Sequence, residues 1–491
     1  MTIHDSSRTA AGDLGDISTE ELRRHGHAVV EQVAAYLSSL ESRPVLAAVQ
    51  PGALRDALPA TPPEHPEALE QILADVDRLI VPGLTHWQAP GFMAYFGTTG
   101  SVPGILGEML TAGFNSNAML WRTSPAATEL EQVTLDWLRQ LLGLPGPLFG
   151  CINDTASAST LYALAAAREA IPGAQIRERG LAGRSDIGRL RYYASEEAHS
   201  SVEKAGIVLG TGREGLRRIA TDSAYRMDAG ALEQAIAEDR AAGWLPFAVV
   251  ATVGTTSTTS VDPVAAIADV CEREALWLHV DAAYGGTAAV VPELRWVLDG
   301  CDRADSLVVN PHKWLFTPLD CSVLYTRRPE VLRDAFSLVP EYLTSSQDDH
   351  SVVNFMDYGV SLGRRFRALK LWMVLRAFGA EGIAARLREH VRLAAELAAA
   401  VDGAAGWERL APAPLSVVCL RARPAGVDDE SELDALNGRI LDGVNAGGRF
   451  FLSHTRLRGR YAIRVAIGNL HTAGQHVRGV WDELIAAAAQ G

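Results

Sequence analysis

The chain has few cysteines and nothing built to cross a membrane. Five cysteines occur in 491 residues, at 151, 271, 301, 321 and 419. They are odd in number, widely spaced and without a CxxC pair, which argues against a disulfide framework or a zinc site and fits buried thiols in a reducing compartment. No metal is expected. No apolar run approaches the ~20 residues of a membrane span, and Met1 to Asp16 lacks the apolar centre of a secretion signal. Positive charge is in deficit: 45 Lys and Arg against 59 Asp and Glu leave a net charge of −14. That balance argues against nucleic acid or an anionic membrane as a main partner. The acidic residues are dispersed, so there is no acidic tail. Repeats are absent, and the only compositional bias is in Ala-rich helices. The expectation is a cytoplasmic globular protein that acts on a small molecule.

Hydrophobic residues make up 48% and charged residues 21% of the chain, ordinary values for a globular protein long enough for two or three domains. Helical periodicity runs over residues 17–40, and a Pro-rich stretch over 44–66 precedes a second helix over 67–80. Residues 1–100 are therefore expected to form a helical arm with too little core to stand alone, packing on something larger such as a partner subunit. Residues 101–375 alternate helix and short apolar strand. Strands are expected at 192–194, 247–253, 276–280, 306–309 and 321–325, with helices at 155–170, 201–208 and 264–274. This alternation predicts an α/β fold with a mostly parallel sheet covered on both faces. A polar stretch over 336–358 is long enough to read as a lid. Helices over 362–378 and 382–401 follow. Residues 376–491 are expected to form a small α+β domain with strands at 415–420, 449–452 and 461–466.

Ligands of such sheets gather at the carboxyl ends of the strands. Lys313, in Asn310-Pro311-His312-Lys313-Trp314-Leu315, follows the apolar strand Ser306-Leu307-Val308-Val309. A lysine at the end of a core strand needs a reason. One is covalent imine chemistry with a carbonyl cofactor. Asp281, at the end of Leu278-His279-Val280-Asp281-Ala282-Ala283, offers a carboxylate to a pyridine nitrogen, with Ala283 small enough for close approach of a ring. Thr155, Ala156 and Ser157 open a helix whose free N–H groups suit a phosphate. His199 can stack on a ring face. Each has a plainer role: Thr155 and Ser157 as helix caps, Asp281 as a turn residue, His199 as a structural histidine. The ordered set points to pyridoxal 5'-phosphate.

These motifs resemble the group II pyridoxal-phosphate decarboxylases, most closely the aromatic-L-amino-acid decarboxylases. The resemblance runs from about Tyr36 to the C-terminus. It includes Ala198-His199-Ser200-Ser201, Ala251-Thr252-Val253-Gly254-Thr255-Thr256 and Leu362-Gly363-Arg364-Arg365-Phe366-Arg367. It implies the type I pyridoxal-phosphate enzyme fold with a seven-stranded sheet, and a homodimer with its sites at the interface. It assigns Lys313 as the cofactor-bonded lysine, Asp281 as partner of the ring nitrogen and His199 as the stacking residue. Thr155, Ala156, Ser157, Asn310 and His312 match phosphate-binding positions, and Thr255 or Thr256 a residue near the cofactor hydroxyl. Trp87, Tyr95, Phe96 and Thr98 match the substrate pocket. Asn117 and Met119 match a stretch reaching in from the second subunit.

Tyr342 matches the acid that protonates the substrate α-carbon. Relatives that make aldehydes carry Phe there or change the stacking histidine, so Tyr342 with His199 implies simple decarboxylation to an amine. Gly363 matches a position where a missing side chain leaves room for indole or catechol rings. The implied substrates are tryptophan, tyrosine, phenylalanine or DOPA. Departures from the family pattern are Asn153-Asp154 before the cradle, Ala158, Gly97, Asn117 and Arg122. An inward Arg122 would favour an acidic amino acid; a surface or dimer contact is the alternative. The rival functions are an aldehyde synthase or acidic amino-acid decarboxylase on the same scaffold, and a cofactor-binding dimer without activity.

Overall fold

The computed structural model describes residues 16–338 and 352–489. The chain divides into two compact units, Met1–Ala89 and Pro90–Gly491. In the first, helix Thr19–Ser38 starts at a capping box: Ser18 Oγ accepts from the Glu21 N–H, and the Glu21 carboxylate accepts from the Ser18 N–H. Helix Leu69–Asp75 continues through a wider turn, Val76–Ile80, and stops at Pro82. The first unit ends at Ala89, whereas the expected arm ran to residue 100.

The second unit is built on a seven-stranded sheet. Its strands are β1 (Phe149–Asn153), β2 (Arg189–Ser195), β3 (Leu216–Ile219), β4 (Trp244–Thr252), β5 (Trp277–Asp281), β6 (Ser306–Val309) and β7 (Ser322–Thr326), in the order β1-β7-β6-β5-β4-β2-β3. All pairings are parallel except those of β7, which runs antiparallel to both β1 and β6. Strands β5, β6 and β7 are buried at every position, as continuous apolar runs in a doubly covered sheet should be. Helices Pro125–Leu141, Ala156–Glu169, Ser200–Val208, Ala229–Ala241 and Val264–Glu274 complete the alternation.

A second sheet, in the order β10-β11-β9-β8, closes the unit: β8 is Trp407–Arg409, β9 Val417–Ala422, β10 Ser453–Leu457 and β11 Arg460–Ala466. It packs with helices Glu430–Ala446 and Gly474–Ala488 around its own apolar cluster. Two expectations need correction. The strand read at 449–452 lies instead at β10. Phe450 and Leu452 are buried because the 450–452 segment meets residues 91–93, with Phe451 N–H donating to Gly91 O and Met93 N–H to Phe451 O. The helix read from 362 starts at Ala368, because Arg364 spends its backbone N–H on Asn117 Oδ1 and its C=O on Ala118 N–H. From there helix runs to Gly403, broken only at Gly379, whose φ of 62° a glycine adopts freely.

Candidate active site

Adjacent strands end in register. Thr252 of β4 lies opposite Asp281 of β5, and Asp281 opposite Val308 of β6. Asp281 closes its strand by accepting a hydrogen bond from Ala283 N–H at 3.1 Å. The loop after β4 comes very close to the turn after β5: a Cβ on Gly285 would lie 2.6 Å from Val253 O. Only glycine fits there, and that approach aligns the two strand ends.

After β6, Asn310 precedes a single helical turn, Pro311–Trp314, with proline at its first position. The turn lifts Lys313 off the strand end. Burial pushes the Lys313 ammonium below its usual pKa; Asp281 opposes the shift and Arg464 adds to it. A lysine so placed favours the neutral, nucleophilic amine. His199 caps helix Ser200–Val208, its Nδ1 accepting from Ser201 N–H at 3.2 Å, so Nε2 carries the ring proton. Burial lowers its pKa, Asp281 raises it and Lys313 lowers it further. Lys313, Asp281 and His199 thus feel one another's charge, Asp281 being buried, Lys313 half-buried and His199 exposed. His199 fills its plain role as a helix cap.

A helix N-terminus stands where the phosphate cradle is expected. Thr155 caps helix Ala156–Glu169, with Oγ1 accepting from Ala158 N–H, which leaves the Ala156 and Ser157 N–H groups without an intrahelical acceptor. Asp154 accepts from Thr155 N–H at 2.7 Å and brings a carboxylate to the cradle's rim. His312 accepts from Cys321 N–H through Nδ1, and burial pushes its pKa down to about 3. It is a neutral Nε2–H donor.

Phe96 borders Lys313, whose Nζ is 5.3 Å from the ring centroid. The ring is one member of a stacked column: Phe96 on Tyr284 at 3.7 Å, Tyr284 on Trp314 at 4.7 Å, Trp314 on His390 at 6.3 Å. Tyr284 Oη and Ser416 Oγ share a hydrogen bond, and Trp314 Nε1–H donates to His390 Nδ1. Tyr95 is exposed and Thr98 half-buried. A second group forms around Gly363: Asn117 Nδ2 would be 3.8 Å from a Cβ there and lies 3.3 Å from Met119 Sδ.

The expected threonines after β4 differ in their surroundings. Thr256 is exposed, and the buried Thr255 bonds within its own loop, to Thr258 Oγ1 and Ser260 N–H. Arg122 is exposed. Trp87 belongs to the first unit, and Tyr342 lies outside the described residues. The sequence reading missed three residues. Ser195 Oγ and Thr252 Oγ1, at the ends of β2 and β4, are buried without a hydrogen-bond partner, as is Asn310 Oδ1, which had been expected. Arg464 of β11 is buried over the Phe96 ring at 4.8 Å, and its Nη2 lacks a partner. Orphaned buried polar atoms are rare in folded proteins. Thr252 pairs with Asp281 across β4 and β5, Asn310 closes β6 and Arg464 acts on the Lys313 charge, so these orphans fit a polar ring cofactor at the strand ends.

A mostly parallel sheet with lysine and aspartate at neighbouring strand ends and a free helix N-terminus defines a type I pyridoxal-phosphate enzyme. Residues 51–423 match the family model described as the pyridoxal-dependent decarboxylase conserved domain, and the chain belongs to that family. It is 41% identical to phenylacetaldehyde synthase of Arabidopsis thaliana, covering 95% of this chain and 96% of that one. It is also 41% identical to aromatic-L-amino-acid decarboxylase of Sus scrofa, covering 96% and 98%. The crystal structure of Oryza sativa TDC with PLP and tryptamine superposes with a TM-score of 0.93 at 37% identity, covering 97% of this chain and 99% of that one.

Proposed function

We propose that this chain decarboxylates an aromatic L-amino acid to the corresponding amine and carbon dioxide, as a cytoplasmic homodimer. The observation that carries this reading is Lys313, Asp281 and His199 in mutual electrostatic reach beside the Phe96 ring. When bound, pyridoxal phosphate supplies the electron sink for the pair released as the carboxylate leaves.

The residues divide the remaining work. Lys313 attaches the cofactor through its amine, and Asp281 keeps a proton on the pyridine nitrogen. His199 covers one ring face. The N–H groups of Ala156 and Ser157, with Thr155, Asn310 and His312, hold the phosphate. Thr252 and Ser195 supply hydroxyls at the strand ends, a role the notably self-bonded Thr255 and exposed Thr256 fill less well. Phe96, Tyr95 and Thr98 receive the aromatic side chain, with Asn117 and Met119 reaching in from the second subunit and Gly363 at its far end. Arg464 offers its unpaired Nη2 to the substrate carboxylate. Tyr342 delivers the proton to the α-carbon. In domain terms, residues 1–89 act as the dimer-packing arm, the segment from 90 to 375 binds the cofactor, and 376–491 form a small α+β domain.

The dimer reading draws on helix Val102–Phe114, which exposes Val102, Leu106, Met109, Leu110 and Phe114 along one stripe. An exposed apolar stripe of this kind marks an interaction surface. It leads directly into residues 115–119, the stretch expected to serve the second subunit.

The test is a panel of tryptophan, tyrosine, phenylalanine, DOPA and glutamate with added pyridoxal phosphate, scored for amine, carbon dioxide, aldehyde, ammonia and hydrogen peroxide. Stoichiometric amine and carbon dioxide from an aromatic substrate are expected. A yellow protein inert towards every aromatic amino acid would sink the reading, and aldehyde with ammonia and peroxide would favour the aldehyde-synthase alternative.

A further inference from the structure

We infer that the buried ion pair Glu131–Arg364 is a positioning device that sets the phosphate cradle at a fixed spacing from the Gly363 wall of the substrate pocket. Glu131, on helix Pro125–Leu141, is 1% exposed. Its carboxylate takes both guanidinium nitrogens of Arg364, at 2.8 and 3.2 Å. Bidentate pairing of this kind fixes orientation as well as energy. The pair's remaining hydrogen bonds go to backbone at two places. Glu131 Oε1 accepts from Ile152 N–H at 2.8 Å, and Arg364 Nη2 donates to Ile152 O at 2.7 Å. Arg364 Nη1 donates to Ala118 O at 3.2 Å. The guanidinium also lies 4.6 Å from the Phe355 ring centroid.

Ile152 belongs to β1, the edge strand of the large sheet, and lies three residues before Thr155. Both of its backbone polar groups end on this pair. The cradle is therefore anchored through Ile152, while Ala118 and Arg364 anchor the segments that carry Asn117, Met119 and Gly363. One cleft is lined by Asn153, Asp154, Gly363 and Arg364 together. A buried pair is weak evidence for stability, since an apolar replacement often serves as well. A pair that joins three separate segments at a binding site does something an apolar contact cannot: it fixes their spacing to within a hydrogen bond.

The inference rests on the cradle holding the cofactor phosphate, and the experiment separates the two. Apo-protein of the parent, Arg364→Lys and Glu131→Gln is titrated with pyridoxal phosphate and separately with pyridoxal, following visible absorbance, with melting temperature in parallel. Arg364→Lys keeps the charge but can no longer reach the carboxylate, Ile152 O and Ala118 O at once. Pyridoxal phosphate affinity should fall about 10- to 100-fold while pyridoxal affinity changes less than about twofold. Inorganic phosphate should also compete less well in the variants. Folded variants that bind pyridoxal phosphate like the parent overturn the inference, as does equal loss for both ligands. Loss of folding in both variants and in Glu131→Asp assigns the pair to stability alone and overturns it too. A parent that does not bind pyridoxal phosphate refutes the reading of the site instead.

Discussion

Tyr284 joins the substrate wall to the lysine-bearing turn, and removing its parts separately should split stability from substrate affinity. Its ring is stacked between Phe96 and Trp314, and its hydroxyl meets Ser416, which is wholly buried. Tyr284→Phe keeps both stacks and strands the Ser416 hydroxyl, at about 1–3 kcal/mol. Tyr284→Leu loses in addition two stacked contacts of about 0.5–1.5 kcal/mol each. The melting temperature should fall by about 1–3 °C in the first variant and by roughly twice as much in the second, at about 1 °C per kcal/mol for a chain of this length. Phe96 loses its backing only in the leucine variant. Its KM for the preferred aromatic substrate should rise about tenfold, the equivalent of one stacked contact. The phenylalanine variant should stay within about twofold of the parent. Calorimetry of the cofactor-saturated protein and initial-rate amine assays read both quantities. Equal KM shifts in the two variants, or an unchanged melting temperature in Tyr284→Phe, would refute the column's role.

Lys313→Ala should abolish the visible absorption of lysine-bound cofactor and cut amine formation by about 10³-fold or more; retained turnover would remove Lys313 from the chemistry. Tyr342→Phe should divert product from amine to aldehyde with ammonia and peroxide, and full amine yield without aldehyde would show that another acid protonates the α-carbon. Asp262 accepts from Met227 and Thr252 N–H groups, and burial raises its pKa to about 7. The native state thus holds a proton there that the unfolded state releases near pH 4, so Asp262 costs stability as pH rises from about 4 through 7. Asp262→Asn should therefore gain melting temperature relative to the parent across that range, and a pH-independent difference would contradict the assignment. His279 and His390 act in the opposite sense: burial lowers both to about 4, so their contribution is lost as pH falls from the usual histidine range through that value. Met109→Asp with Phe114→Glu should yield a monomer by sedimentation and abolish activity; an intact active dimer would place the interface elsewhere.

The elements legible in the sequence were those whose burial is decided locally. Strand β6 and helix Val264–Glu274 lie where the sequence pattern put them, because one is buried throughout around Leu307, Val308 and Val309 and the other keeps a clear buried face. The failures were segments whose partners are remote in sequence. Phe450 to Leu452 looks like a strand by composition, but Phe451 bonds to residues 91 and 93 and Leu452 to the Asn445 side chain. Residues 362–367 look helical, but Arg364 bonds to residues about 250 positions away.

The same division runs through the site. Lys313, Asp281, His199 and Thr155, the residues proposed for the site, stand out in the sequence because each lies at or beside the end of an element the sequence already marks. Arg464 was not, because it sits inside β11 as one arginine among many; only its burial, its orphaned Nη2 and the Phe96 ring beneath it single it out. Thr252 lost to Thr255 and Thr256 for a related reason. Three threonines within five residues are equivalent on paper. The fold distinguishes them by pairing Thr252 with Asp281 across two strands, closing Thr255 into its own loop and leaving Thr256 in solvent. An end-of-strand residue therefore announces itself, whereas a residue that owes its role to a neighbour's register becomes visible only once the strands are aligned. Thr252→Val is the direct consequence: it should weaken cofactor binding where Thr256→Val leaves it unchanged, and the reverse order would return the role to the exposed threonine.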